Sequence, residues 1–88
     1  MAIFQQGVFS TGGGRSVKPI PLLSITTEPT GTEFEKGSKY FNESESKIYT
    51  AVADNTWDDA KITDPVWGAY YLYDGHAYVW DGNSLEIF

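Results

Sequence analysis

The chain has 88 residues, a formal net charge of −6, 41% hydrophobic and 16% aromatic residues, no cysteine and one histidine. That length allows one domain, and the composition is globular, not disordered. The missing cysteines exclude disulfides and thiolate metal sites, and a single histidine argues against an ordinary zinc centre.

A chain this small buries only about 60–65% of its unfolded surface, so a further staple is expected, and oligomerisation is the one left open. Charge is divided unevenly. Residues 1–27 hold no acid and only Arg15 and Lys18, whereas residues 28–88 hold twelve acids against four lysines. An acidic body disfavours nucleic acid and anionic membrane, which reward Lys and Arg. It reads either as a solvated surface or as the ground on which a slightly basic arm docks.

The opening "AIFQQGVF" is apolar at Ile3, Phe4, Val8 and Phe9. It lacks the basic start of a signal peptide, and no run approaches the roughly 20 apolar residues of a membrane helix. The expectation is a soluble chain made in a cytoplasm. Three glycines at Gly12–Gly14 interrupt any regular element, and Pro19, Pro21 and Pro29 keep the chain extended. "LLSITT" (residues 22–27) reads as one short edge strand. Residues 1–36 are therefore assigned to an extended anchoring arm. Its apolar residues need a cover, which is either the chain's own body or another subunit.

Residues 37–88 read as a β-rich knob with two related hairpins. "SKYF" and "KIYTAV" flank the polar turn "NESES", and "GAYYLY" and "HAYVW" flank Asp74-Gly75, a common hairpin signal. Asp81-Gly82 turns the chain into a last strand, "SLEIF". Between the hairpins, "DNTWDDAKITDPVW" reads as loop with two anchoring tryptophans. A short helical turn over 56–61 competes there, because Thr56 suits a cap and Asp58 and Asp59 suit a first turn. The fold class is all-β: a small antiparallel β-hairpin module preceded by an extended N-terminal arm.

The two hairpins echo each other. Gly37-x-x-Tyr40-Phe41 precedes Lys47-Ile48-Tyr49, and Gly68-x-x-Tyr71-Leu72 precedes His76-Ala77-Tyr78. A period of two puts Tyr71 and Tyr73 on one face of the second hairpin and Tyr70 and Leu72 on the other. With both faces apolar, both need covering: one by the sibling hairpin, the other by another chain or by the arm. The rings read as core, as sugar-stacking platforms or as partner contacts. Trp57, Trp67, Tyr71, Tyr78 and Trp80 are the candidates for intersubunit or ligand contact.

Catalytic chemistry finds little footing. His76 follows a turn, no serine lies in a nucleophile motif, and "TGGGRS" lacks the lysine of a phosphate loop. The acid pairs Glu43/Glu45 and Asp58/Asp59 sit in loops, and Asp54, Asp58, Asp59 and Asp64 lack the spacing of a calcium loop. The expectation is a non-enzyme without cofactor or metal.

The segments "GSKYFNESESKIYTAVADNTW" and "GAYYLYDGHAYVWDGNSLEIF" resemble a pattern in bacteriophage virion proteins. There, a Gly-led aromatic strand, a polar turn, a Lys-Ile/Leu-Tyr strand and a Trp precede a second Gly-led hairpin ending in a Tyr-x-Trp-Asp/Asn-Gly turn, as Tyr78–Gly82 does here. The resemblance covers residues 37–88. It implies a small, β-rich, commonly trimeric module of a capsid decoration, head fibre or tail fibre, and hence a virion location. It leads to the expectation that Ile3, Phe4, Val8 and Phe9, helped by Arg15 and Lys18, anchor the chain to other capsid or tail proteins. The alternative is a glycan-binding adhesion module.

Overall fold

In the computed structural model the structure describes residues 19–88, which form seven strands and no helix. Strands β2 (Lys39–Asn42), β3 (Lys47–Thr50) and β4 (Lys61–Thr63) make one antiparallel sheet in that order. The second sheet has the order β1-β5-β6-β7, built from β1 (Ile20–Pro21), β5 (Tyr70–Tyr73), β6 (His76–Trp80) and β7 (Leu85–Ile87). The all-β expectation holds. One pairing departs from it: β1 runs parallel to β5, with Ile20 opposite Tyr71 and Pro21 opposite Leu72.

The sequence echo is a structural duplication: two three-stranded meanders, β2-β3-β4 and β5-β6-β7. Each begins with the same turn. The Ser38 N–H donates to the Glu35 carbonyl at 3.0 Å, and 31 residues on the Ala69 N–H donates to that of Val66 at 3.0 Å. The third residue of each turn is a glycine with positive φ, 93° at Gly37 and 79° at Gly68, a conformation that L side chains rarely adopt. Each glycine N–H then reaches the end of its middle strand, Ala51 O at 2.9 Å and Trp80 O at 2.9 Å. Tyr40 faces Tyr49 and then Ile62, as Tyr71 faces Tyr78 and then Ile87. The units differ at the first hairpin turn. Four residues connect β2 and β3, whereas Asp74-Gly75 alone connects β5 and β6, both with the positive φ of a type I′ turn.

The meanders stack back to front. The buried core contains Phe41 and Ile48 from the back of the first, Tyr71 and Trp80 from the front of the second, and Leu22. The Phe41 and Trp80 rings lie 5.7 Å apart. On the first meander's own front, Phe34 and Trp57 form a lid. Their rings stack at 4.4 Å, and Trp57 presents its edge to Tyr40 at 4.8 Å.

Leu22 arrives on a strap of residues 20–26, which the sequence reading gave to the arm. Its N–H donates to Leu72 O at 2.6 Å, and the strap then crosses to β2: Leu23 N–H to Lys39 O at 2.8 Å and Phe41 N–H to Ser24 O at 2.9 Å. From Ile20 onward the chain is thus woven into the body, and the division at 36/37 is not a structural boundary. The reason is Leu22, which the body buries, with Ile20 packed beside it. The strap serves as an edge, where proline costs no ladder bond.

The linker between the meanders also differs from its reading. No helix forms over 56–61; Ala60 N–H closes a turn onto Trp57 O at 3.0 Å, with Asp59 at φ 60°. Lys61–Thr63, taken as loop, is a strand whose three residues are all exposed. Pairing with β3 defines it, and a three-residue exposed strand leaves no hydrophobic period to read.

Candidate functional site

The anchoring candidates Ile3, Phe4, Val8, Phe9, Arg15 and Lys18 lie outside the described residues. The five aromatic candidates separate by burial. Tyr71 (2% exposed) and Trp80 (8%) belong to the intrachain core, so they are not surface contacts of the folded chain. The Tyr71 hydroxyl accepts a hydrogen bond from Val66 N–H at 3.2 Å, tying the second Gly-led turn to the core. Tyr78 is half-buried beside Tyr73, ring centroids 6.4 Å apart. Trp57 is half-buried in its lid, and its Nε1 is buried with no hydrogen-bond partner among the described residues.

Trp67 alone is open. It is 77% exposed and lies against Gly82, where an added Cβ would stand 3.3 Å from Cδ1 of the indole. Reading Trp67 as an anchor therefore fails; the ring rests on backbone at the end of the second sheet. Gly82, at φ 96°, supplies both the turn and the clearance. Beside it the Asp81 carboxylate accepts from Asn83 N–H at 2.7 Å and Ser84 N–H at 2.8 Å. These donors, that of Ser84 foremost, hold the Asp81 carboxyl below its usual range by stabilising its charge.

The second open feature is the back of β5-β6-β7. Tyr70 and Val79 share this side with Leu72 and Ala77, as the cross-strand register requires. Leu72 is 39% exposed, and Phe88, 77% exposed, sets its ring edge-on to Tyr70 at 4.8 Å. Period two in the sequence located Tyr70 and Leu72 on this side. Phe88 was missed, because it lies past the last strand and carries no pattern of its own.

The acidic groups do not converge. Among the described residues no group of three or more His, Asp or Glu is placed to hold a metal ion. Asp54, one of the calcium candidates, instead accepts from Lys36 N–H at 2.7 Å, and neighbouring Asn55 from Phe34 N–H at 2.8 Å. Together they pin the segment that carries the Phe34 lid. Asp64 pairs with Lys47, and Glu45 accepts from the Tyr49 hydroxyl. That hydroxyl is pushed up to about 12, first by its hydrogen bond to Glu45. Tyr40 is raised too, chiefly by burial and then by the negative charge of Glu28 and Glu45. These carboxylates organise backbone and tyrosines, and His76 stands exposed on its own strand. A shallow groove of about 440 Å³ between the strap and the first Gly-led turn is lined by Ile20, Leu23, Phe34 and Lys39 among others, and it is open to solvent.

No family model matches this chain, and no curated protein or solved structure matches it either.

Proposed function

We propose that this chain is a non-enzymatic structural component of a phage virion, a capsid accessory or fibre-type protein. In this reading its N-terminal segment attaches to the particle and the paired meanders are displayed as a knob, as a homotrimer. The observation that carries the reading is the strap. The N-terminal segment runs directly into residues 20–26, which hydrogen-bond first to β5 and then to β2. A pull on an anchored N-terminus would therefore be shared by both sheets, and Leu22 would carry it into the core. The Gly-led units behind the phage resemblance form equivalent meanders, which suits a repeat-built display module.

Attachment would bury Ile3, Phe4, Val8 and Phe9 against the particle, each contributing about 1.5–3 kcal/mol before ordering costs. Several copies would add avidity. The test is mass spectrometry of density-purified virions from the source, with and without residues 2–11 of this chain. The full chain is expected in the particle at a copy number divisible by three, and the truncated chain is expected to be lost from it. Purified virions lacking the full chain, or retaining the truncated one at full occupancy, refute the reading.

Trp67 favours a second reading, a glycan-binding adhesion module. A flat exposed indole is the surface on which a sugar ring stacks. A saccharide panel read by tryptophan fluorescence tests it, and only a response abolished in Trp67→Ala supports it.

A further inference from the structure

The second meander holds two identical dipeptides, Asp74-Gly75 and Asp81-Gly82. Asp-Gly is well suited to one self-reaction, because glycine has no side chain to shield its backbone nitrogen from the neighbouring carboxyl carbon. The fold sets the two copies in opposite surroundings.

Asp74 and Gly75 are the central residues of the turn between β5 and β6, both exposed, with φ of 51° and 79°. The cross-strand ladder closes at Tyr73 and His76 and leaves the turn's own backbone outside it. Among the described residues no hydrogen bond holds the Asp74 carboxylate or the Gly75 N–H. Nothing stands within 4 Å of where a Cβ on Gly75 would be, so no neighbour resists movement of the tip. Asp81 is tied instead. Its Oδ1 accepts from Asn83 N–H at 2.7 Å and from Ser84 N–H at 2.8 Å, which turns the carboxyl toward residues 83–84 and favours its charged form. Its own N–H donates to Ser84 O at 3.1 Å. Gly82 has the Trp67 indole against it, with Cδ1 3.3 Å from an added Cβ.

We propose that Asp74-Gly75 is a self-modification site, where the chain converts Asp74 to isoaspartate through a cyclic imide, and that the fold protects Asp81-Gly82 from the same reaction. The Gly75 backbone nitrogen attacks Cγ of the protonated Asp74 carboxyl. A C–N bond forms, the nitrogen's proton and the carboxyl hydroxyl leave as water, and a five-membered succinimide remains. Water then adds to one imide carbonyl and its C–N bond breaks. Opening at Cγ restores aspartate, and opening at the main-chain carbonyl leaves isoaspartate. Water is the only co-reactant, nothing is oxidised or reduced, and the mass returns to its starting value.

Isoaspartate routes the main chain through Cβ and adds one carbon to a two-residue turn. The pairing of Tyr73 with His76 depends on that turn length. Conversion therefore loosens the hairpin whose strands bring Tyr71 and Trp80 to the core. The site does not depend on the virion reading.

The test ages the full chain at near-neutral pH and physiological temperature, folded and in parallel in guanidinium chloride, and then digests it with trypsin. Both dipeptides fall in one peptide, residues 62–88, because no lysine or arginine follows Lys61. Electron-transfer fragmentation separates aspartate from isoaspartate at each position. In the folded chain isoaspartate should appear at residue 74 at least about ten-fold faster than at residue 81, a barrier difference of about 1.4 kcal/mol. In denaturant the two rates should converge. Asp74→Asn, which suits this turn position, should form the same imide by losing ammonia, and faster, since a neutral amide needs no prior protonation. A folded chain without isoaspartate at 74, or with equal rates at 74 and 81, overturns the proposal. So does a residue 81 that stays slow in denaturant, which would place the protection in the local sequence. An Asp74→Asn chain that keeps its amide equally overturns it, by showing that the turn denies the nitrogen access to Cγ.

Discussion

Leu22→Ala asks whether the strap is part of the folding unit or merely rests on it. Leu22 is 6% exposed and packs with Phe41, Ile48, Tyr71 and Trp80, so it touches both sheets at once. Deleting three carbons loses about 2.4 kcal/mol of transfer energy at about 0.8 kcal/mol per carbon. The unfilled space adds to this, and measured Leu→Ala changes in cores run from about 2.7 to 5 kcal/mol. The strap is an edge and can close part of the gap, which sets the expectation near 3 kcal/mol. A domain of this size holds about 4–13 kcal/mol in all, so the loss is a large share of it. In urea, with a slope of about 1 kcal/mol/M, the midpoint should fall by about 3 M. The melting temperature should fall by about 12–24 °C. Tryptophan fluorescence is the readout, since Trp80 lies in the same cluster. Leu23→Ala, half-buried outside that cluster, is the comparison and should cost about 1 kcal/mol. A loss below about 1 kcal/mol for Leu22→Ala, at unchanged slope, would refute the reasoning: the strap would then lie outside the cooperative body. A two-step transition would refute it differently, by separating the two sheets.

Three further outcomes follow from the same geometry. Gly37→Ala and Gly68→Ala occupy equivalent turns at positive φ with open space around them, so each should destabilise by about 1–2 kcal/mol and by similar amounts in chemical denaturation. Markedly unequal costs would deny the structural equivalence of the meanders. Gly82→Ala adds a contact 3.3 Å from Trp67 to its own backbone strain; it should shift the emission of Trp67 as well as lower stability, and a spectrum unchanged after Trp57 and Trp80 are replaced by Phe would contradict the ring's position. Tyr49 loses its proton only near pH 12 in the folded chain, against about 10 unfolded, so the stability it lends is full below pH 10 and is lost as pH rises through 12. Ultraviolet titration should show Tyr49 and the burial-raised Tyr40 titrating late, with Tyr49→Phe assigning the first; Glu45→Gln should bring Tyr49 back toward 10, and a Tyr49 that stays late in that variant would remove Glu45 as the cause.

The duplication was legible because it is local. A glycine, two residues, an aromatic–apolar pair, a turn and a tyrosine-bearing strand specify a hairpin through backbone sterics and period two, and the structure repeats them in place. The side on which Tyr70 and Leu72 lie was legible for the same reason. The strap was legible only as a short edge strand at 22–27, whereas the strand is Ile20–Pro21, and its pairing was not legible, because its partners lie 16 and 50 residues away at Lys39 and Leu72. Nor was β4, three exposed residues that become a strand only by pairing with β3. The tryptophans divide along the same line: composition marks all three as large apolar surface, but it cannot rank them. Trp80 is buried because Phe41 reaches it, Trp57 is half-covered because Asn55 and Asp54 hold Phe34 over it, and Trp67 is open because only Gly82 lies beneath it. The sequence by itself determined the all-β class, the two related units and their internal faces, all set by neighbours a few residues apart. Only the tertiary structure decided which faces meet. Back-to-front stacking depends on contacts between residues tens of positions apart, and those contacts leave the back of β5-β6-β7 open among the described residues.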